Sequence, residues 1–283
     1  MERTTPEQTE PNRNNREFSY LGGAVLASGI VMLMDQILNT GWLSLLVMPG
    51  LGLVLLAIGV RLRSKRYTVP GGLLTGLGTG GYFFFAQGNL ETAHRVGLLL
   101  GCFGLGWWII TLLWKLFESE LVWWPIIPGG VFVSTGAAFL FGSLQWVDFV
   151  LYIGVGVGLS LLLCGILLRL FGLIIPGALL LGISPGIYAG WAEPLNGNGL
   201  TQTGIMLVWI ALGWGLITVF SRTITDAFVW WPLIPGGIIA VVGWGLYIGG
   251  DPGSAFRFIG NTSSVGLMIF GIYLLLMRRS IRR

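Results

Sequence analysis

Charge is scarce in this chain. Only 10% of its 283 residues are Asp, Glu, Lys or Arg, against about 25% in ordinary soluble domains. A water-soluble protein of this length could not cover its surface with so few polar groups, so lipid is the expected solvent. Histidine is almost missing, His94 being the only one. One imidazole cannot supply paired haem ligation, a His-Glu-x-x-His zinc site or a pigment array. The two cysteines, Cys102 and Cys164, lie in apolar stretches and read as small buried hydrophobes rather than as a disulfide or zinc framework.

The apolar stretches themselves are nearly free of ionisable residues, which argues against proton transport by a carboxylate relay. No catalytic residue, cofactor or metal site is nominated. The net charge of +4 comes from short basic runs between apolar stretches, so it reads as a topology signal and predicts no nucleic-acid partner.

Apolar residues and glycine take the place of charge. The hydrophobic fraction is 54%, the mean hydropathy is +0.81, and 46 residues are glycine. A helix needs about 20 apolar residues to cross about 30 Å of hydrocarbon. Stretches of that kind fall near 19–35, 42–62, 69–86, 96–116, 124–143, 149–170, 172–190, 203–221, 231–249 and 261–278. Polar and apolar residues do not alternate with period 2, as a membrane barrel would require. The expected fold is therefore an all-α integral membrane protein of about ten transmembrane helices, arranged as five hairpins with parallel internal repeats.

With both termini placed in the cytoplasm, every Lys and Arg except Arg95 and Arg257 falls on the inner side. This asymmetry sets the orientation and points to the cytoplasmic membrane of a bacterium. The expected layout is a disordered cytoplasmic tail over 1–17, then hairpins over 18–66, 67–120, 121–171, 172–226 and 227–283, the last with a basic cytoplasmic tail.

An internal repeat organises these stretches. Trp123, Trp124, Pro125, Ile126, Ile127, Pro128, Gly129 and Gly130 align without a gap on Trp230, Trp231, Pro232, Leu233, Ile234, Pro235, Gly236 and Gly237. The gapless match extends back to Gly106-Trp107 on Gly213-Trp214, so that Thr111 matches Thr218 and Lys115 matches Arg222, and a weaker Pro-Gly opening recurs at Pro70 and Pro176. The proline is expected in the first turn of each helix, the tryptophans at headgroup depth, and the glycines where backbones approach. Pro49 and Pro185 are expected inside spans, as kinks. His94 is expected in an outer loop. The Gly76–Tyr82 run faintly suggests a channel filter, but small-residue helix packing is the preferred reading.

Residues 20–62 carry Gly22, Gly29, Met34-Asp35, Trp42, Pro49, Gly50 and Gly52. In this they resemble the two-helix membrane module of Lia-type cell-envelope stress proteins of bacteria, here expected in multiple copies and without the soluble domain. The resemblance assigns no functional residue. Taken together, these features lead us to expect a non-enzymatic multi-pass membrane protein of scaffold, sensor or interaction type. Its expected partners are the lipid bilayer and, through glycine-rich helix faces, other membrane proteins or a second copy. Two alternatives stay open. One is a channel or facilitator lined by Ser28, Thr75, Thr79, Ser134, Thr135, Ser160 and Thr218. The other is a lipid-interacting enzyme or carrier using Lys115 and Arg222, with nearby Glu118, Glu120 and Asp226.

Overall fold

The computed structural model describes residues 11–118, 122–192, 199–221, 224 and 229–249. Among these residues there is no strand, and the elements are α1 Pro11–Leu38, a 3-10 turn Ser44–Leu46, α2 Val47–Leu62, α3 Lys65–Ala86, α4 Thr92–Glu118, α5 Ile126–Phe141, α6 Trp146–Leu168, α7 Phe171–Trp191, α8 Gly199–Ser221 and α9 Leu233–Gly249. Five segments among the described residues are long and apolar enough to cross a membrane: Ser44–Leu62, Thr92–Leu116, Trp146–Leu168, Phe171–Trp191 and Gly199–Ser221. Gly22–Leu38, Ile126–Phe141 and Leu233–Ile248 are apolar but shorter. The expected stretch at 261–278 lies outside the described residues.

The surface is as apolar as the sequence implies. Leu26, Leu53, Leu112, Leu159, Leu212 and Ile238 are each more than half exposed. A soluble monomer does not present such a surface, whereas lipid tails favour it.

The chain divides into two compact units, Met1–Leu140 and Phe141–Arg283. In the first, α2, α3 and α4 pack in chain order, α5 lies on α4, and α1 meets α2 only briefly. In the second, α6, α7, α8 and α9 pack in chain order. α3 packs on both α2 and α4, and α7 on both α6 and α8.

Lipid offers no hydrophobic gain for joining two helices, so close van der Waals contact must do it. Glycine permits that contact along each seam. A methyl group at Gly71 would lie 2.7 Å from the Leu56 nitrogen, and one at Gly177 would lie 2.8 Å from the Leu162 nitrogen. At Gly76 it would lie 2.7 Å from the Cys102 carbonyl oxygen, and at Gly182 2.7 Å from that of Trp209. At Gly97 it would lie 2.9 Å from the Gly136 oxygen, and at Gly204 2.7 Å from that of Gly243. Ile110, Ile174 and Ile217 fill the seams without exposure.

Several boundaries depart from expectation. α1 begins at Pro11, inside the segment 1–17 expected to be disordered. α3 and α7 begin at Lys65 and Phe171, so Pro70 and Pro176 lie inside the helices rather than in their first turns. Pro49 is in the first turn of α2 and not mid-span, where its missing N–H leaves no bond unmade. Pro185 does lie inside α7.

α2 and α6 end alike. Arg63 (φ 50°) and Arg169 (φ 53°) take the left-handed conformation, and their N–H groups reach Gly59 and Val60, or Gly165 and Ile166. This closure usually selects glycine.

Candidate functional site

The repeated Trp-Trp-Pro segments lead into α5 and α9. The Ile126 N–H bonds the Trp123 carbonyl at 3.0 Å, and the Leu233 N–H bonds that of Trp230 at 3.0 Å. Pro128 and Pro235 are each the third residue of their helix, as expected. There the helix's own N–H groups have no partner to lose. Pro125 and Pro232 are buried, whereas Trp123, Trp124, Trp230 and Trp231 are exposed. Gly129 lies close under Trp108, whose indole N–H bonds the Ile126 carbonyl at 3.3 Å. Gly236 lies under Trp214, where a methyl group would be 2.9 Å from the Trp214 Cβ. The copies differ at their last residue, Gly130 being buried and Gly237 exposed.

The second tryptophan of each pair stacks edge-on against the preceding helix. Trp124 meets Trp107 at 5.4 Å between ring centroids, and Trp231 meets Trp214 at 6.0 Å. Trp107 also touches Phe103, which packs on Phe132 of α5. An aromatic column therefore runs along the α4–α5 seam.

Polar groups collect just above that column. Thr111 and Trp114 are 8% and 4% exposed. The Thr111 hydroxyl and the indole nitrogens of Trp114 and Trp107 are buried and have no hydrogen-bond partner among the described residues. The Lys65 ammonium, at the start of α3, sits 4.7 Å from the centre of the Trp114 ring. In the second unit Thr218 is likewise buried and unpartnered. Phe171 opens α7 as Lys65 opens α3, and Ser221 stands three residues after Thr218 as Trp114 does after Thr111. The Ser221 hydroxyl bonds the Thr218 carbonyl at 2.7 Å.

Most other helical hydroxyls are satisfied within their own helices. Ser28, Thr75, Thr135, Ser160 and Ser184 each donate to the carbonyl four residues earlier, at 2.7–2.8 Å, and Ser134 donates to that of Val131. Such back-bonding is ordinary for Ser and Thr in helices.

At the opposite ends of the helices two carboxylates organise turns. Asp35 accepts the Thr40 hydroxyl at 2.5 Å and the Leu43 N–H at 3.2 Å. Asp148 accepts the Ser143 N–H and hydroxyl, both at 2.7 Å, and closes a capping box with Gln145 at the start of α6. His94 lies in the first turn of α4, 3.8 Å from Glu91, rather than in a loop. Cys102 and Cys164 are not joined in a disulfide. Two open clefts are present, one at Thr40, Trp42, Tyr82 and Phe85 and one at Gly23, Val54, Ala57 and Arg61. No group of three or more candidate metal-binding residues occurs among the described residues.

Glu120 and Arg222 lie outside the described residues, as does Asp226, and Lys115 is exposed in the last turn of α4. Sequence reading matched Thr111 with Thr218 but missed the grouping of Thr111 with Trp107, Trp114 and Lys65. The i, i+4, i+7 spacing of Trp107, Thr111 and Trp114 was the available signal. No protein-family model, curated protein or solved structure matches this chain. The likeness of residues 20–62 to Lia-type modules rests on those residues alone.

Proposed function

We propose that the chain is a non-enzymatic multi-pass protein of a bacterial cytoplasmic membrane, acting as a scaffold or interaction partner, with both termini in the cytoplasm. The observation that carries this reading is the filling of the helix seams by glycine backbone contact, with hydroxyls turned onto their own helices. A solute path needs polar groups facing a gap. Ser28, Thr75, Ser134, Thr135 and Ser160, five of the seven residues named above as a possible polar path, instead bond carbonyls of their own helices, whereas the Thr218 hydroxyl is unpartnered among the described residues.

We further propose that the chain arose by duplication of a four-helix segment. Contacts made by Gly71, Gly76 and Gly97 recur at Gly177, Gly182 and Gly204, and the Trp107–Trp124 pair recurs as Trp214–Trp231. The spacing of these pairs, 106 or 107 residues, supports a longer unit than the 50-residue hairpin. Such repeats point the same way across the membrane and are unlike the inverted repeats of many transporters.

Flux assays test the scaffold reading. Proteoliposomes bearing the purified chain should leak ions and small neutral solutes no faster than empty vesicles. Saturable flux of any one solute would replace this reading with the channel alternative.

A further inference from the structure

The buried donors on α4 form a ladder. Trp114, Thr111 and Trp107 share one face and descend about 10 Å along the helix, at 1.5 Å per residue. Lys65 stands at the top, beside the Trp114 ring. Arg61, Arg63 and Arg66 crowd the same short turn between α2 and α3. Below the ladder, Phe103 and Phe132 supply an apolar wall. Unpartnered polar atoms are costly in a low-dielectric interior, so three on one face call for an acceptor. Thr111 is the more telling because, Thr218 apart, the other buried helical hydroxyls described above bond their own backbone.

The groups offer donors at successive depths beneath a cation. A glycerophospholipid presents the matching order, with charged phosphate oxygens above and acyl-ester carbonyls below. A free phosphate would satisfy only the top. Lys65 is exposed with its ammonium over the Trp114 ring, whereas the three donor atoms are buried, so side chains must part before a lipid reaches them.

We propose that this face of α4 binds an anionic glycerophospholipid, with its phosphate at Lys65 and the Trp114 indole N–H and its ester carbonyls at Thr111 and Trp107. The site belongs to the first unit alone. The second keeps Thr218 but has Phe171 and Ser221 in place of the lysine and the indole. The proposal needs the chain to be embedded in lipid, but not that it be a scaffold. The flux result above and the binding result below can therefore fail separately.

The test uses the full chain in detergent, stripped of co-purifying lipid and titrated with dioleoyl phosphatidylglycerol or phosphatidylcholine under native mass spectrometry. Both lipids offer the phosphate, but phosphatidylcholine also brings a quaternary ammonium that the Lys65 ammonium repels, so phosphatidylglycerol should bind about ten-fold more tightly. Lys65→Gln and Trp114→Phe should each remove most of that preference. Thr218→Val and Arg169→Gln should leave it intact. The wild-type chain should also bind the ester lipid better than its diether analogue, which lacks the carbonyls, and Thr111→Val should erase that difference. The ester–ether comparison needs no variant, so a poorly folding mutant does not shield the proposal.

Equal binding of the two headgroups would overturn it. So would a loss from Arg169→Gln as large as that from Lys65→Gln, since only diffuse charge would then be at work. Displacement of the lipid by equimolar glycerol 1-phosphate would assign the site to free phosphate esters instead.

Discussion

Gly76→Ala puts the glycine seams under direct test. The added methyl group would lie 2.7 Å from the Cys102 carbonyl oxygen and 2.9 Å from the Gly106 Cα. Both obstacles are backbone, so no side chain can swing aside. Ordinary contact between such atoms lies near 3.5 Å, so α3 and α4 must part by about 0.7 Å. That separation also loosens Gly72 against Gly106 and Ile110, and Gly80 against Leu99. Overpacking of this kind costs about 1–3 kcal/mol. Alanine offsets some of it through its better helix propensity, worth about 0.5–1 kcal/mol.

Gly101→Ala is the control, for its methyl group meets nothing within 4 Å and only the propensity gain remains. The propensity gain is common to both variants, so they should differ by the overpacking cost, about 1–3 kcal/mol in midpoint-derived stability. Reversible unfolding in SDS, followed by tryptophan fluorescence, measures this. Gly182→Ala, facing Trp209 and Gly213 in the same way, should match Gly76→Ala. If Gly76→Ala proved as stable as Gly101→Ala, close helix contact would not be what holds α3 to α4.

Three other outcomes follow from the same structure. Leu144 carries a positive φ of 63° on a half-exposed side chain; Leu144→Gly should stabilise the fold by about 1 kcal/mol in the same titration, and destabilisation would refute the strain argument. Asp148→Ala should cost about 1–2 kcal/mol, because it removes the cap of α6 together with the acceptor for Ser143; an unchanged midpoint would show the cap to be dispensable. In a cysteine-free background, Ser64→Cys and Gln87→Cys flank α3, whose 22 residues span about 33 Å; an impermeant maleimide should reach them from opposite sides of sealed vesicles, and labelling of both from one side would remove α3 from the spans.

Helical class and lipid-facing composition were legible because both depend on the average residue. The repeat at Trp123–Gly130 and Trp230–Gly237 was legible because tryptophan and proline are rare enough to align. Helix starts were less so. Lys65, Arg66, Tyr67 and Thr68 begin α3, but their polarity placed them outside a span judged by hydropathy alone. The left-handed ends at Arg63 and Arg169 carried no signal, because the residue that normally announces this turn is glycine. The Lys65–Trp114–Thr111 grouping was hidden for a third reason. α4 is apolar on every side, so its sequence has no polar face to show which residues point into a seam.

The brevity of α5 has a consequence beyond its own packing. Its 16 residues reach about 24 Å. Hydrocarbon is about 30 Å thick, so for α5 to cross it the lipid alongside must compress, at a fraction of a kcal/mol for each ångström. Trp123 and Trp124, exposed where the chain leads into α5, mark the headgroup level at that end. A membrane already thin spares the chain this distortion, so bilayer thickness becomes a means of deciding where the protein collects.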